Sequence, residues 1–187
     1  MKTTPNQTPG STKDQTPGST KDQTLTDADH QPFMTEALAH AQLALEQGEI
    51  PVGCVIVRDG AVIGRGHNEK EGRKDPSAHA EVLAIQDAAR RIGDWRLNGC
   101  VLYVTLEPCP MCASLITQSR IREVHVALHE VQSGALGTVL DLTHDPLNHI
   151  QLRVKWDYRS EAEALLDEFF QSKKRKPGGT GDESERL

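Results

Sequence analysis

The chain of 187 residues has few aromatic residues and no long apolar run. Phe, Trp and Tyr make up 4% of the sequence and hydrophobic residues 36%, which still allows one domain of roughly 150 residues to bury a core. No apolar stretch approaches the roughly 20 residues that cross a bilayer. The N-terminus lacks the apolar core of a signal peptide and the arginine-rich bias of a transit peptide. We therefore expect a cytoplasmic protein without a membrane partner.

An excess of positive charge is also lacking. The formal net charge is −6, which argues against a globally basic protein that binds nucleic acid through its overall charge. Any contact with RNA must therefore come from a local basic patch, and it would depend strongly on salt.

Cysteine is scarce, with four residues in the chain. In a reducing compartment, the C-x-x-C pair of Cys109 and Cys112 is typical of metal binding or redox chemistry rather than of a structural disulfide. Cys54 lies in an apolar, strand-like run and Cys100 opens another. We expect these two residues to be small, buried apolar side chains.

The two ends of the chain differ in composition from its middle. The octamer TPGSTKDQ occurs at 8–15 and again at 16–23, in a segment without apolar periodicity. Such a segment cannot offset its ordering entropy by burial. We expect residues 1–30 to form a disordered repeat tail, residues 31–176 one folded domain and residues 177–187 a flexible C-terminal tail.

Helix and strand patterns alternate along the middle of the chain. Apolar residues at helical spacing predict a first helix over 33–48, and Asp59-Gly60 between two apolar runs predicts a β-hairpin of strands 52–57 and 61–66. Residues 130–150 read as a loop with short helical pieces. The other predicted elements are helix 77–91, strand 101–106, helix 110–119, strand 123–128, strand 152–155 and helix 160–175. This order predicts an α/β fold whose sheet is covered on both faces.

Two short motifs contain the residues that indicate chemistry, His79-Ala80-Glu81 and Pro108-Cys109-Pro110-Met111-Cys112. They supply one imidazole, two thiols and a carboxylate that is not needed as a ligand. Three protein ligands, a fourth position open to water and a separate acid/base are typical of a catalytic zinc site. The pattern H-x-E…P-C-x-x-C is the signature of zinc-dependent nucleobase deaminases. We therefore predict one Zn²⁺ per chain, held by His79, Cys109 and Cys112.

Helix geometry supports one part of this site and leaves another open. Cys109 and Cys112 are three residues apart at a predicted helix start, so their side chains share one face, and a helix N-terminus favours the thiolate. We place His79 in the first turn of its own helix, where positions i and i+2 point about 200° apart. Periodicity alone therefore does not bring Glu81 beside the metal.

Other interpretations of the same residues are available. A thioredoxin-like redox pair would need a βαβ pattern around the cysteines, and that pattern is not seen. A closed structural zinc site would need a fourth Cys or His. None lies close in sequence, although four later histidines could supply one in principle: His125, His129, His144 and His149. We expect these histidines to be surface or hydrogen-bonded residues.

Longer strings extend the likeness over most of the chain, from about Thr35 to Lys174. They are EIPVGCVIV (49–57), GRGHNEKEGRKDPSAHAEVLAI (64–85), LYVTLEPCPMCASLI (102–116), SRIREV (119–124), SGALGT (133–138), NHI (148–150) and LLDEFF (165–170). With them the chain resembles the bacterial tRNA-specific adenosine deaminases. The zinc motifs are common to the whole cytidine-deaminase-like superfamily, whereas SGALGT, NHI and the helix with Phe169-Phe170 favour the tRNA branch. The resemblance implies a cytidine-deaminase-like three-layer α/β/α sandwich with a central mixed sheet of about five strands.

The resemblance also implies a function, namely the zinc-dependent hydrolytic deamination of adenosine to inosine at the wobble position of a tRNA anticodon. In that reaction Glu81 would be the catalytic acid and base, and Asn68 would hydrogen-bond the base; the other interpretation of Asn68 is an ordinary loop residue. A homodimer that binds a tRNA anticodon stem-loop is implied as well. Arg120, Arg122 and the basic run 173–176 are candidate phosphate contacts, although complementation of the helix dipole explains such a run equally well.

Three departures from the family pattern bear on RNA preference more than on the reaction. Glu130 stands where the family commonly has Asp, His129 stands where Arg is usual in the best-known members, and KWDY at 155–158 is unlike the sequence expected there. Two alternative functions stay open. A deaminase of a free nucleobase or nucleoside, of guanine or cytosine type, would need no phosphate-binding patch. A non-catalytic RNA-binding subunit would typically lack the carboxylate that Glu81 provides.

Overall fold

A computed structural model of the chain describes residues 27–144 and 151–175. The octamer repeat, the string NHI with His149, and the segment 177–187 lie outside these residues, so the division into tail, domain and tail stays a prediction. No helix among the described residues is long and apolar enough to span a membrane.

Five helices and five strands alternate along the described residues. They are α1 (Asp27–Glu46), β1 (Gly53–Arg58), β2 (Ala61–His67), α2 (Lys70–Arg73), α3 (Ala80–Ile92), β3 (Val101–Val104), α4 (Pro110–Gln118), β4 (Glu123–Val126), β5 (Arg153–Trp156) and α5 (Ser160–Arg175). Apart from the short helical pieces expected within 130–150, all the predicted helices and strands are present, mostly with bounds shifted by one to three residues.

Three differences from the sequence-based expectations have physical reasons. Helix α1 begins at Asp27 and so includes the last four residues of the segment expected as a tail. A tertiary contact anchors its first turn, since His30 Nδ1 lies 2.6 Å from the Tyr103 hydroxyl on β3. The short helix α2 carries no apolar pattern that could have predicted it. The described part of the loop, 130–144, contains turns and an isolated bridge between Leu136 and Asp141 rather than helical pieces.

The five strands form one mixed sheet in the order β2-β1-β3-β4-β5. Strand β1 pairs antiparallel with β2 and β3, whereas β3, β4 and β5 are parallel to one another. This confirms the expected mixed sheet of five strands. Because β3, β4 and β5 are parallel, their carboxyl ends lie at the same edge, which is where α/β proteins commonly bind their ligands.

Helices cover both faces of the sheet, which gives the expected three layers. Alternate residues of β1 point to opposite faces of the sheet. Cys54 and Ile56 belong to the core beneath α3 and α4. Val55 and Val57 belong to the core beneath α1 and α5. Burial on both faces explains why β1 is apolar throughout. Cys54 and Cys100 are both buried, as predicted.

Gly66 on β2 lets α3 pack directly on the strand backbone. A Cβ atom at this position would lie 2.3 Å from the carbonyl oxygen of Ala80 and 2.6 Å from the backbone nitrogen of Ala84. The glycine therefore sets how deep the first turn of α3 lies against the sheet, and this turn carries part of the site described next.

Candidate metal centre and active site

The predicted metal ligands lie at the N-termini of two helices. His79 is the N-cap residue of α3 and Cys109 is that of α4, and both have extended backbone conformations. Cys112 is the third residue of α4. His79 Nδ1 lies 3.6 Å from Cys112 Sγ and 3.9 Å from Cys109 Sγ. The two helix N-termini therefore meet, and their dipoles favour thiolates over thiols at this point.

The three side chains fit a zinc ion. Their ligand atoms lie within 4.8 Å of one another. A tetrahedral site with Zn–N of about 2.0 Å and Zn–S of about 2.3 Å needs an N-to-S separation of about 3.5 Å, close to the separations of 3.6 and 3.9 Å found here. Among the described residues the group has three donors and no fourth, which leaves a position open to a further ligand.

None of the three later histidines that the structure describes joins this group. His125 is buried on the other face of the sheet, where it pairs with Glu123. His129 lies beside Thr138, and His144 lies beside Asp141. The closed structural zinc site is therefore not supported by these histidines.

The two thiols shift each other's pKa in opposite directions. The hydrogen bond from Cys112 to Cys109 lowers the pKa of Cys109 to about 4, and the same bond, together with burial, raises the pKa of Cys112. The hydrogen bond with Cys109 also raises the pKa of His79. One sulfur is thus held as the thiolate that a zinc ligand must be.

Glu81 lies beside the three ligands. It is 3% exposed, and burial is the main cause that raises the pKa of its carboxyl group. Its carboxylate is also a hydrogen-bond partner of the Cys112 thiol. The prediction that His79 lies in the first helical turn is wrong, because His79 has extended dihedrals one residue before the helix. The separation of about 200° expected on a helix therefore does not apply, and the two side chains converge.

Asn68 joins the end of β2 to the start of α3. Its Oδ1 accepts the backbone N–H of Ala80 at 3.0 Å, and its Nδ2 donates to the carbonyl of Ile50 at 3.1 Å. The residue is 6% exposed, and both polar groups of its side chain have backbone partners. Its role in binding a base stays a prediction.

Glu107 is a residue of the site that the sequence interpretation missed. Its buried carboxylate accepts the backbone N–H groups of Glu130, Leu136 and Thr138 at 3.1, 2.8 and 3.2 Å. Gly134 packs against it, since a Cβ there would lie 2.4 Å from Glu107 Oε2. The only signal in the sequence is an acidic residue at the end of an apolar strand, just before Pro108-Cys109.

The candidate phosphate contacts Arg120 and Arg122 are not brought to this site. Both are exposed and precede β4, so they lie at the amino edge of the parallel strands. Cys109 follows β3 at the carboxyl edge. Lys173 and Lys174 are exposed near the end of α5, where Lys173 Nζ lies 5.4 Å from the ring centroid of Phe169. The role of all four residues as phosphate contacts stays a prediction.

Comparisons with known proteins agree with this geometry. Residues 27–128 match the family model of the cytidine and deoxycytidylate deaminase zinc-binding region. The tRNA-specific adenosine deaminase of Aquifex aeolicus is 47% identical over 141 residues, which cover 74% of this chain and 91% of that protein. Among solved structures, the chain is similar to a tRNA:A34 deaminase studied for A-to-I editing at the wobble position of transfer RNA. The two share 38% identity and a TM-score of 0.70, over 73% of this chain and 99% of that one.

The guanine deaminase of Bacillus subtilis is a further structural relative, with 30% identity and a TM-score of 0.54 over 81% of this chain and 97% of that one. Both the identity and the TM-score are higher for the tRNA:A34 deaminase. The extent of the match to the Aquifex protein, together with the zinc-binding family model, settles the family. The chain is a zinc-binding enzyme that belongs to the tRNA-specific adenosine deaminases, within the cytidine and deoxycytidylate deaminase family.

Proposed function

We propose that this chain converts adenosine to inosine at the wobble position of a tRNA anticodon, by zinc-dependent hydrolytic deamination in residues 31–176. The observation that carries the chemistry is the buried carboxylate of Glu81 beside the group His79, Cys109 and Cys112. The similarity to the tRNA-specific deaminases supports the substrate.

Each residue of the site has a role in this proposal. His79, Cys109 and Cys112 hold the zinc ion, which when bound lowers the pKa of a water and so supplies a nucleophile at neutral pH. The Glu81 carboxylate would accept one proton of the attacking water and deliver it to N1 of the adenine ring. It would then take the second proton from the new hydroxyl group at C6 and deliver it to the amino group, which leaves as ammonia when the C6–N bond breaks. Asn68 uses one amide hydrogen for Ile50, and its second amide hydrogen is available to the base.

A second copy of the chain completes the proposed enzyme. Four large apolar side chains are exposed close to the site, on the first turn of α4 and on the loop after β4. They are Met111 (41%), Val131 (77%), Val139 (49%) and Leu140 (48%). Burial of this apolar surface against a second copy of the chain would be favourable, which supports a homodimer. Light scattering would test this by measuring the molar mass of the protein in solution. A tRNA substrate also supports the proposal that the enzyme is located in the cytoplasm.

The deciding experiment compares two kinds of substrate with the zinc-loaded protein. One is an anticodon stem-loop RNA with adenosine at the wobble position, and the others are free adenosine, guanine and cytidine. We expect inosine in the stem-loop and little ammonia from the free compounds. Ammonia from guanine with the stem-loop untouched would overturn the proposal in favour of the guanine deaminases, to which the chain is also similar. Binding of the RNA without any turnover would instead favour a non-catalytic subunit.

A further inference from the structure

Trp156 and His129 form an exposed aromatic stack at the end of β5. Their ring centroids are 3.8 Å apart and the ring planes are inclined by 24°. The tryptophan is 42% exposed and His129 is also exposed. An indole with this much exposure does not serve the core, and its partner ring holds it in one orientation.

Hydrogen bonds fix the position of this stack relative to the metal centre. His129 Nδ1 lies 2.9 Å from the Thr138 hydroxyl, and the backbone N–H of Thr138 donates to Glu107. The same loop is tied to the residue before Cys109, because the N–H of Ala135 donates to the carbonyl of Pro108 at 3.0 Å. These contacts fix the position of His129, and of the ring stacked on it, relative to the metal centre.

The sheet places the stack and the metal centre at the same edge. Val104, Val126 and Trp156 stand in register across the parallel strands β3, β4 and β5, at their carboxyl ends. Trp156 shares its face of β5 with Val154, which packs against the core beneath α3 and α4. The indole thus lies on the side of the sheet that carries the zinc ligand Cys112.

We propose that the Trp156–His129 stack binds a nucleobase of the substrate RNA, next to the nucleotide whose base enters the zinc site. This inference rests on the proposed function. When an enzyme extrudes a base from a loop, the neighbouring bases lose their stacking partners. Proteins that read single-stranded RNA replace these partners with aromatic side chains, and such stacking accepts any base because every base has a π-face.

Trp95 provides a matched control. It is 52% exposed and has arginine neighbours, with Arg96 at 4.2 Å and Arg120 at 5.8 Å from its ring. It lies between α3 and β3, however, at the amino edge of the parallel strands and away from Cys109. If exposure of an aromatic ring were sufficient to bind RNA, Trp95 and Trp156 would contribute equally to the affinity for RNA.

The experiment measures the affinity of the full-length zinc protein for the anticodon stem-loop RNA. Equilibrium binding is followed in a Glu81→Gln background, in which RNA is not turned over, and kcat and KM are measured with Glu81 intact. We expect Trp156→Ala to weaken binding and raise KM by roughly tenfold or more, with kcat and zinc content little changed. Trp156→Phe should restore most of the affinity, and Trp95→Ala should resemble the unmodified protein.

Three outcomes would overturn the proposal. The first is equal RNA affinity of the Trp156→Ala and Trp95→Ala variants. The second is a loss of affinity that Trp156→Phe does not rescue. The third is a change from dimer to monomer in Trp156→Ala, which would make the stack a contact between subunits. Failure of the proposed function alone has a different signature, namely RNA binding that depends on Trp156 but yields no inosine.

Discussion

The carboxylate of Glu107 accepts the backbone N–H of Leu136 at 2.8 Å and so ties the loop after β4 to the segment that leads into Cys109. Two further N–H groups of the same loop, those of Glu130 and Thr138, donate to this carboxylate. Three hydrogen bonds therefore hold the loop with the exposed apolar residues against Glu107, two residues before Cys109.

Replacing Glu107 with Gln should destabilise the protein. An amide offers one acceptor oxygen instead of two, and its NH₂ group would face a backbone donor. We expect the free energy of unfolding in urea to fall by about 1.5–3 kcal/mol, the range for a hydrogen bond to a charged group. Glu130→Gln is the control, because that carboxylate accepts the N–H of Gln132 in its own loop. Equal stability of the two variants would contradict this role of Glu107.

Glu81→Gln and Cys112→Ser should separate catalysis from metal binding. The Glu81 carboxylate is not among the three grouped ligands, so its amide variant should keep about one zinc ion per chain and lose most of its deaminase activity. Cys112→Ser should lose both zinc and activity, because a hydroxyl is a poor zinc ligand. Zinc is measured by mass spectrometry and inosine by nucleoside chromatography. A Glu81→Gln protein that deaminates at near the normal rate would refute the assigned role.

Gly66→Ala should destabilise the protein and disturb the metal centre. The added methyl group would collide with the backbone of α3 and push its N-terminus outward, which we expect to cost about 1–3 kcal/mol, as overpacking typically does. Gly72→Ala is the matched control, since the nearest atom to its added Cβ would be Glu49 Oε1 at 3.7 Å. Urea unfolding and zinc content are compared for both. Intact stability and zinc binding in Gly66→Ala would show that α3 does not depend on this close approach.

The His125 side chain should make stability depend on pH. Burial lowers the pKa of this imidazole below its usual value of 6.5, against the opposing effect of its hydrogen bond with Glu123. The nearby His30 lowers the pKa further, and Asp157 raises it. Since the unfolded chain binds the proton more readily, the contribution of His125 is lost as the pH falls from 6.5 through the lowered pKa.

Urea unfolding between about pH 7 and pH 5 tests this expectation. The unmodified protein should lose more stability over this interval than His125→Gln, in which the titrating group is absent. His144→Gln, with a side chain that is 64% exposed, should follow the unmodified protein. Parallel pH profiles of the His125→Gln variant and the unmodified protein would exclude His125 as the cause.

Much of the fold is predictable because its signals are local. The hairpin follows from Asp59-Gly60 between apolar runs, and the bounds of α5 follow from its apolar spacing. The start of α1 depends on the contact between His30 and Tyr103, which are 73 residues apart, so no local pattern could reveal it. Tertiary contacts here override the change of composition between the repeat segment and the folded domain.

The candidate site also contains residues that local sequence predicts and residues that it does not. His79, Cys109 and Cys112 are predictable because few other functions need these residue types at this spacing. The position of Glu81 depends on the backbone conformation of an N-cap residue, which helical periodicity does not describe. Glu107 and the pair of Trp156 and His129 depend on partners from distant parts of the chain, and only the folded structure brings these partners together.

The placement of the ligands at two helix N-caps has a mechanical consequence. His79 and Cys109 are 30 residues apart, and the chain between them contains α3 and β3. An ion held at both points closes this segment into a ring, much as a disulfide would, but in a way that a chelator can reverse. Zinc should therefore act as a reversible cross-link between the N-termini of α3 and α4. When a chelator removes it, we expect proteases to cleave the segment between α3 and α4 before they cleave the rest of the sheet.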